Sequence, residues 1–211
     1  MTVEPETWAS FYLTDSDLDR VRRATSTAGG VQWEREELSE IKRRIKNLHL
    51  RLQAMACCYC RRHLLGEFAM VIDIEHIVPK STYPWAIFEP VNLTVSCKRC
   101  NMGIKRAKVD FLRSAIDQDV RAGINDSGFY SFIHPNLDNY KDHLSVVQVA
   151  VDDKRFLKYL AGRATDKGRQ TYYYFRLAEL EIDTLDEIQG MQASPTDHRA
   201  LTIRRILGLS S

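Results

Sequence analysis

Two cysteine pairs at CxxC spacing, Cys57-x-x-Cys60 and Cys97-x-x-Cys100, most constrain the fold of this chain. Thiolates two residues apart lie close enough to share one ion. Two such pairs complete a closed tetrahedral site of the structural zinc type, with Zn–S bonds of about 2.3 Å. The chain has five cysteines, and an odd number grouped at metal spacing favours ligation in a reducing compartment over disulfides. Cys58 is the spare one, left over once the other four are grouped at CxxC spacing. A redox reading of the first pair alone leaves the second pair unexplained.

Between the pairs stand Asp73-Ile74-Glu75-His76-Ile77-Val78-Pro79 and Asn92-Leu93, and the second pair continues as Cys97-Lys98-Arg99-Cys100-Asn101-Met102-Gly103-Ile104-Lys105. In this order the elements resemble the zinc-bearing form of the HNH endonuclease family, whose pattern runs CxxC, (D/E)HxxP, NL, CxxCNxxK. The match runs from residue 57 to residue 105 of 211. A lone CxxC or EHxxP is weak, whereas four elements in one order are specific.

The resemblance implies that His76 is the general base that deprotonates a water, a task suited to imidazole with its ordinary pKa of about 6.5. It also implies that Glu75 and Asn101 hold a divalent ion and that Asn92 steadies the loop carrying the base. Two protein oxygens leave room for waters and phosphate, as magnesium prefers. Asn101 stands where a histidine completes the family's name, and a hard amide oxygen favours Mg2+ or Mn2+ over nickel or zinc at that position. Plainer roles exist: Glu75 as a surface acid, Asn101 as a helix N-cap, and Asn92 as a turn residue. Asp73, two residues before Glu75, shares its strand face and either supports the ion or flanks the strand.

The net charge of +2 conceals an uneven distribution. Lys42, Arg43, Arg44, Lys46, Arg51, Arg61 and Arg62 lie between residues 41 and 63 without an acid, and Lys98, Arg99, Lys105, Arg106 and Lys108 surround the second pair. Cations beside the motif suit phosphate neutralisation in a DNA substrate. Lys98, Arg99, Lys105 and Arg106 are the expected nucleic-acid contacts, although a solvated helical face explains them nearly as well. No apolar run approaches the roughly 18 residues of a membrane span. The acidic N-terminal stretch lacks a basic signal-peptide start, so a cytoplasmic location is expected.

The expected fold is α+β, mainly helical. Its centre is a ββα-metal (HNH, treble-clef-like) core with the four-cysteine zinc site and helical flanks, the names being supplied by the resemblance. Residues 1–33 read as an N-terminal docking segment, 34–118 as the nuclease core with its preceding helix, and 119–211 as a C-terminal helical extension. Leu38, Ile41, Ile45, Leu48, Leu52 and Met55 recur at helical spacing, and 68–74 and 92–96 read as two strands of a hairpin. Helical spacing returns from Asn101 to Asp117 through Ile104, Val109, Leu112 and Ile116. Residues 144–151 form a strand candidate, Thr165 opens a helical stretch to Leu180, and Ser194-Pro195 opens a final helix to about Leu207.

The stretch from Ile133 to Leu144, with its HPxxDxY run, and Gly162-Arg163-Ala164-Thr165-Asp166-Lys167-Gly168 resemble the extension that follows the HNH core in bacterial anti-phage nucleases of the Septu PtuB type. That resemblance implies an ATPase partner, with the helical flanks as partner surfaces and His134 and His143 as structural or substrate-positioning residues. Two other classes remain: a freestanding restriction or homing-type nuclease, and a zinc-organised nucleic-acid-binding module without catalysis.

Overall fold

The computed structural model of the chain describes residues 13–25, 33–114, 116, 123–151 and 154–183. Helices and strands are mixed among them, with two small antiparallel sheets rather than a mainly helical body. The final helix expected from Ser194 lies outside the described residues.

Helix α1 (Asp15–Thr25) lies in the stretch read from sequence as a docking segment. Thr14 and Asp17 cap its start reciprocally: Asp17 Oδ2 accepts from Thr14 N at 2.8 Å, and Asp17 N donates to Thr14 Oγ1 at 3.3 Å. Asp17 is buried and meets Arg44 at 2.6 Å. Against the cost of burial, Arg44 and Thr14 hold its carboxyl down at about 2. Arg44 belongs to α2 (Ser39–Leu52), so this pair docks one helix on the other.

Helix α2 forms where the sequence places it, and its apolar spacing buries Ile41, Ile45 and Leu48 with Leu38, Trp33, Ile87 and Leu93. Leu52, on the same stripe, is exposed because the helix ends there. Ala54 and Met55 then take left-handed backbone (φ 53° and 54°), which turns the chain into the first cysteine pair. Such residues persist only where their surroundings hold them. Here Met55 N bonds Leu50 O at 2.7 Å, and Ala56 bridges His63.

Strands β1 (Ile72–His76) and β2 (Leu93–Cys97) form the expected hairpin, with Glu75 opposite Thr94 and His76 opposite Leu93, but the first strand starts later than the sequence suggests because Ala69–Val71 form a 3₁₀ turn. In the segment that directly follows Cys97, the helical structure is one wide π-helical turn, Arg99–Lys105. Arg106 at φ 54° stops it, and Leu112 pairs with Tyr130 in an isolated bridge. Among the described residues, the helix expected to run on to Asp117 does not continue past Lys105: a left-handed residue breaks the helical hydrogen-bond ladder, and the apolar residues that follow serve another packing.

The remaining elements are α3 (Tyr140–His143), β3 (Val146–Val151), β4 (Lys154–Tyr159), α4 (Asp166–Tyr174) and β5 (Ile182–Asp183), with β4 central in its sheet. Thr165 caps α4 by accepting from Gly168 N. Gly168 is required by close approach, since a Cβ there would lie 2.1 Å from His143 O. One core runs across residue 118. Tyr59, inside the first CxxC pair, stacks on Phe175 at 4.1 Å and meets Phe132 edge-on at 5.5 Å. Tyr159 OH donates to Cys60 O at 2.5 Å, and Tyr140 OH donates to Tyr59 O at 3.0 Å.

His134 holds the turn that follows it. Its Nδ1 accepts from Asn136 N and Leu137 N, both at 3.2 Å, so its proton sits on the buried Nε2. Burial lowers the ring to about 3. A folded-state value below the ordinary 6.5 means that the unfolded chain takes up the proton first, so this contribution is complete above pH 6.5 and is lost as pH falls toward 3. Urea titrations between pH 6 and pH 4 should show the native protein losing about 1.4 kcal/mol more per pH unit than His134→Asn, whose amide can still accept from the turn. Parallel pH profiles would refute the assignment.

Candidate functional site

The sequence reading places Cys57, Cys60, Cys97 and Cys100 around one ion, and the fold gathers them. All four are buried and their sulfurs lie within 4.8 Å of one another. A tetrahedron with Zn–S bonds of about 2.3 Å has edges of about 3.8 Å, and Cys60 Sγ lies 3.9 Å from Cys97 Sγ. The set therefore fits a zinc ion. Cys97 N points at Cys57 Sγ (3.4 Å), and Arg61 N donates to Cys57 O (3.0 Å), which closes the first knuckle. Burial and the neighbouring Cys57 hold the Cys58 thiol well above its ordinary value, as suits a spare cysteine outside the cluster.

The hairpin and α2 enclose an open cleft of about 960 Å3. Asp73, Glu75, His76 and Asn101 line it together with Lys42, Arg43, Lys46, Lys80, Lys98 and Arg106. His76 ends β1 with its ring edge-on to Trp33 at 4.6 Å. Its Nε2 lies 3.1 Å from Ile87 O, and a carbonyl only accepts, so Nε2 carries the proton and Nδ1 keeps the lone pair. Burial, with Lys80 adding to it, lowers His76 to about 3, against the opposing pull of the Ile87 carbonyl. The ring is neutral at neutral pH.

Glu75 lies on the other face of β1 and is almost fully enclosed. Its Oε1 receives Lys105 Nζ at 2.7 Å and Tyr59 OH at 3.1 Å, while Oε2 is buried and has no partner. Burial raises this carboxyl above its ordinary value, and Lys105 and Tyr59 oppose that rise. Glu75 is among the residues that line the cleft, and its Oε2 keeps an unused acceptor. Asn101 donates through Nδ2 to Asp73 Oδ2 at 3.2 Å, which leaves its own Oδ1 as the amide's acceptor. Asp73 also meets Lys98 at 3.3 Å. Glu75 Oε2 and Asn101 Oδ1 are both hard oxygen donors, the type that magnesium and manganese take.

Asn92 does not line the cleft. Its buried side chain accepts from Val78 N at 2.6 Å and donates to Val78 O (3.2 Å) and Ala86 O (2.8 Å). This staples the turn after His76 to the segment that presents the Ile87 carbonyl.

The four cations expected to meet phosphate divide into two pairs. Lys98 and Arg106 line the cleft. Lys105 does not reach solvent: it is 1% exposed, paired with Glu75, and donates to His76 O at 2.9 Å. Arg99 turns away to Phe175 O (2.9 Å), Arg176 O (2.8 Å) and Glu179. Tyr59, Trp33 and Ile87 are missing from the sequence reading. Tyr59 stood in view between two cysteines, but nothing local shows that it reaches an acid sixteen residues away.

No family model and no solved structure matches the chain. The chain is similar to the Septu protein PtuB of Bacillus thuringiensis, at 28% identity over 110 residues. That match covers 52% of this chain and 35% of the relative, so the chain spans about a third of the length of the curated protein it matches. Among the described residues, no helix is long and apolar enough to cross a membrane.

Proposed function

We propose that this chain is a metal-dependent HNH-type endonuclease that hydrolyses phosphodiester bonds in DNA. Its proposed setting is anti-phage defence alongside an ATPase partner. One observation carries the chemistry: a neutral His76, its Nε2–H engaged by the Ile87 carbonyl, shares a cation-lined cleft with Glu75 and Asn101. The defence setting draws on the likeness to the Septu protein PtuB.

In this reading His76 Nδ1 takes a proton from a water as that water's oxygen bonds to phosphorus, and the P–O3′ bond breaks. The departing oxygen is protonated from solvent. Glu75 and Asn101 would hold a magnesium or manganese ion, which would supply charge stabilisation to the phosphate in the transition state. Lys105 orients Glu75 and the His76 carbonyl, Asn92 fixes the turn that follows, and Lys98 and Arg106 neutralise phosphate. The four cysteines hold zinc and shape the finger.

Nicking of supercoiled plasmid by the native protein should proceed with magnesium or manganese and fail with zinc alone. His76→Ala should lower the rate by about 10²–10⁴-fold. Equal cleavage by this variant would end the mechanism. Binding without cleavage by the native protein would favour the non-catalytic zinc module.

A further inference from the structure

Gly66, at φ 78°, starts a short apolar projection between two buried anchors, Leu64 and Ile72. Between the anchors Leu65, Phe68 and Met70 are 70%, 82% and 80% exposed. The projection is held by its own backbone: Glu67 N bonds Leu64 O, Val71 N bonds Phe68 O at 3.0 Å, and the 3₁₀ turn Ala69–Val71 leads directly into β1. Large apolar side chains at this exposure are unfavourable unless something covers them.

Their position says what covers them. Met70 lines the same cleft as His76 and Asn101, and Phe68 stands two residues before it. Met102, 59% exposed on the π-helical turn, also lines the cleft, and its sulfur lies 3.5 Å from Lys98 Nζ. The cleft thus combines six cations and three acids with exposed thioethers, and the exposed Phe68 precedes one of these by two residues along the chain. An apolar protein surface docked there would have to bury those cations. A polynucleotide satisfies both halves at once, with phosphates on the cations and base faces on the apolar groups.

We infer that Phe68 and Met70 form a base-contacting wedge, and that the substrate class of this cleft is a polynucleotide with unpaired bases, single-stranded or locally strand-separated, rather than intact duplex. This rests on the nuclease reading above and adds the substrate form to it. Duplex bases are stacked on one another and offer no free face, whereas unpaired bases stack readily on an aromatic ring or pack against sulfur.

The test uses the intact chain without added magnesium, and fluorescently labelled DNA 20-mers, single-stranded and duplex, followed by anisotropy over a range of salt. Phe68→Ala/Met70→Ala should weaken single-strand binding about tenfold, leave duplex binding nearly unchanged, and leave the slope of affinity against salt unaltered. Lys42→Ala/Arg106→Ala should instead flatten that slope. No weakening, or equal weakening on both DNA forms, overturns the wedge, and the first outcome assigns the projection to a protein partner. If the native protein cleaves plasmid yet the double variant binds normally, only the wedge falls. If the native protein neither binds nor cleaves DNA, the nuclease reading falls with it.

Discussion

Cys97→Ser, or removal of metal by a strong chelator, should unfold the finger and the core built on it. Structural zinc binding contributes roughly 10–16 kcal/mol in small finger peptides, comparable with or above the ~5–15 kcal/mol net stability of a typical domain. The four cysteines sit at the junction of three parts of this chain: the knuckle after α2, the end of β2 and the start of the π-helical turn. Tyr159 and Tyr140 reach the knuckle's backbone from the C-terminal region, so that region loses its footing as well. One zinc per chain should be released to a chromogenic chelator, with collapse of the thermal transition. Unchanged melting after quantitative chelation would show that the sulfur cluster needs no ion.

Lys105→Met should destabilise the protein by about 3–5 kcal/mol, because it leaves the buried Glu75 carboxylate without its charge partner. Both side chains are 1% exposed and 2.7 Å apart. An exposed pair of the same kind is worth only about 0–1 kcal/mol, so the magnitude itself reports burial. Adding Glu75→Gln should recover much of the loss, since a neutral amide can still accept from Tyr59. Urea denaturation of the native, single and double variants completes the cycle. A single-variant effect under about 0.5 kcal/mol, the usual range for a surface substitution, would return Lys105 to the surface role expected from sequence.

That pair marks the limit of what was readable. Helix α2, the hairpin and the cysteine assignment follow from local pattern: Ile41, Ile45 and Leu48 at helical spacing, alternation into His76, and two CxxC pairs. The π-helical turn did not follow, because Val109 and Leu112 continue a helical period that the left-handed Arg106 interrupts. Helix α1 was missed because its stabilising contact, Asp17 to Arg44, spans 27 positions. Within the site, a basic run reads alike whether its members face solvent or one of them turns inward. Lys105 and Arg106 are neighbours in sequence, yet one is sealed beneath His76 and the other lines the cleft.

Which atoms could share an ion was legible in the residue order alone, since the reach of a CxxC pair is set by a few backbone torsions. The same order shows which residues could do acid–base work, since that depends on side-chain chemistry. The tertiary structure alone decided the charge state and direction of those groups. The Ile87 carbonyl selects the His76 tautomer, Lys105 and Tyr59 occupy one oxygen of Glu75 and leave the other buried and unpaired, and Asp73 turns the Asn101 amide. These effects depend on partners brought within about 3 Å by folding, where burial strengthens each interaction and raises the cost of leaving it unmade.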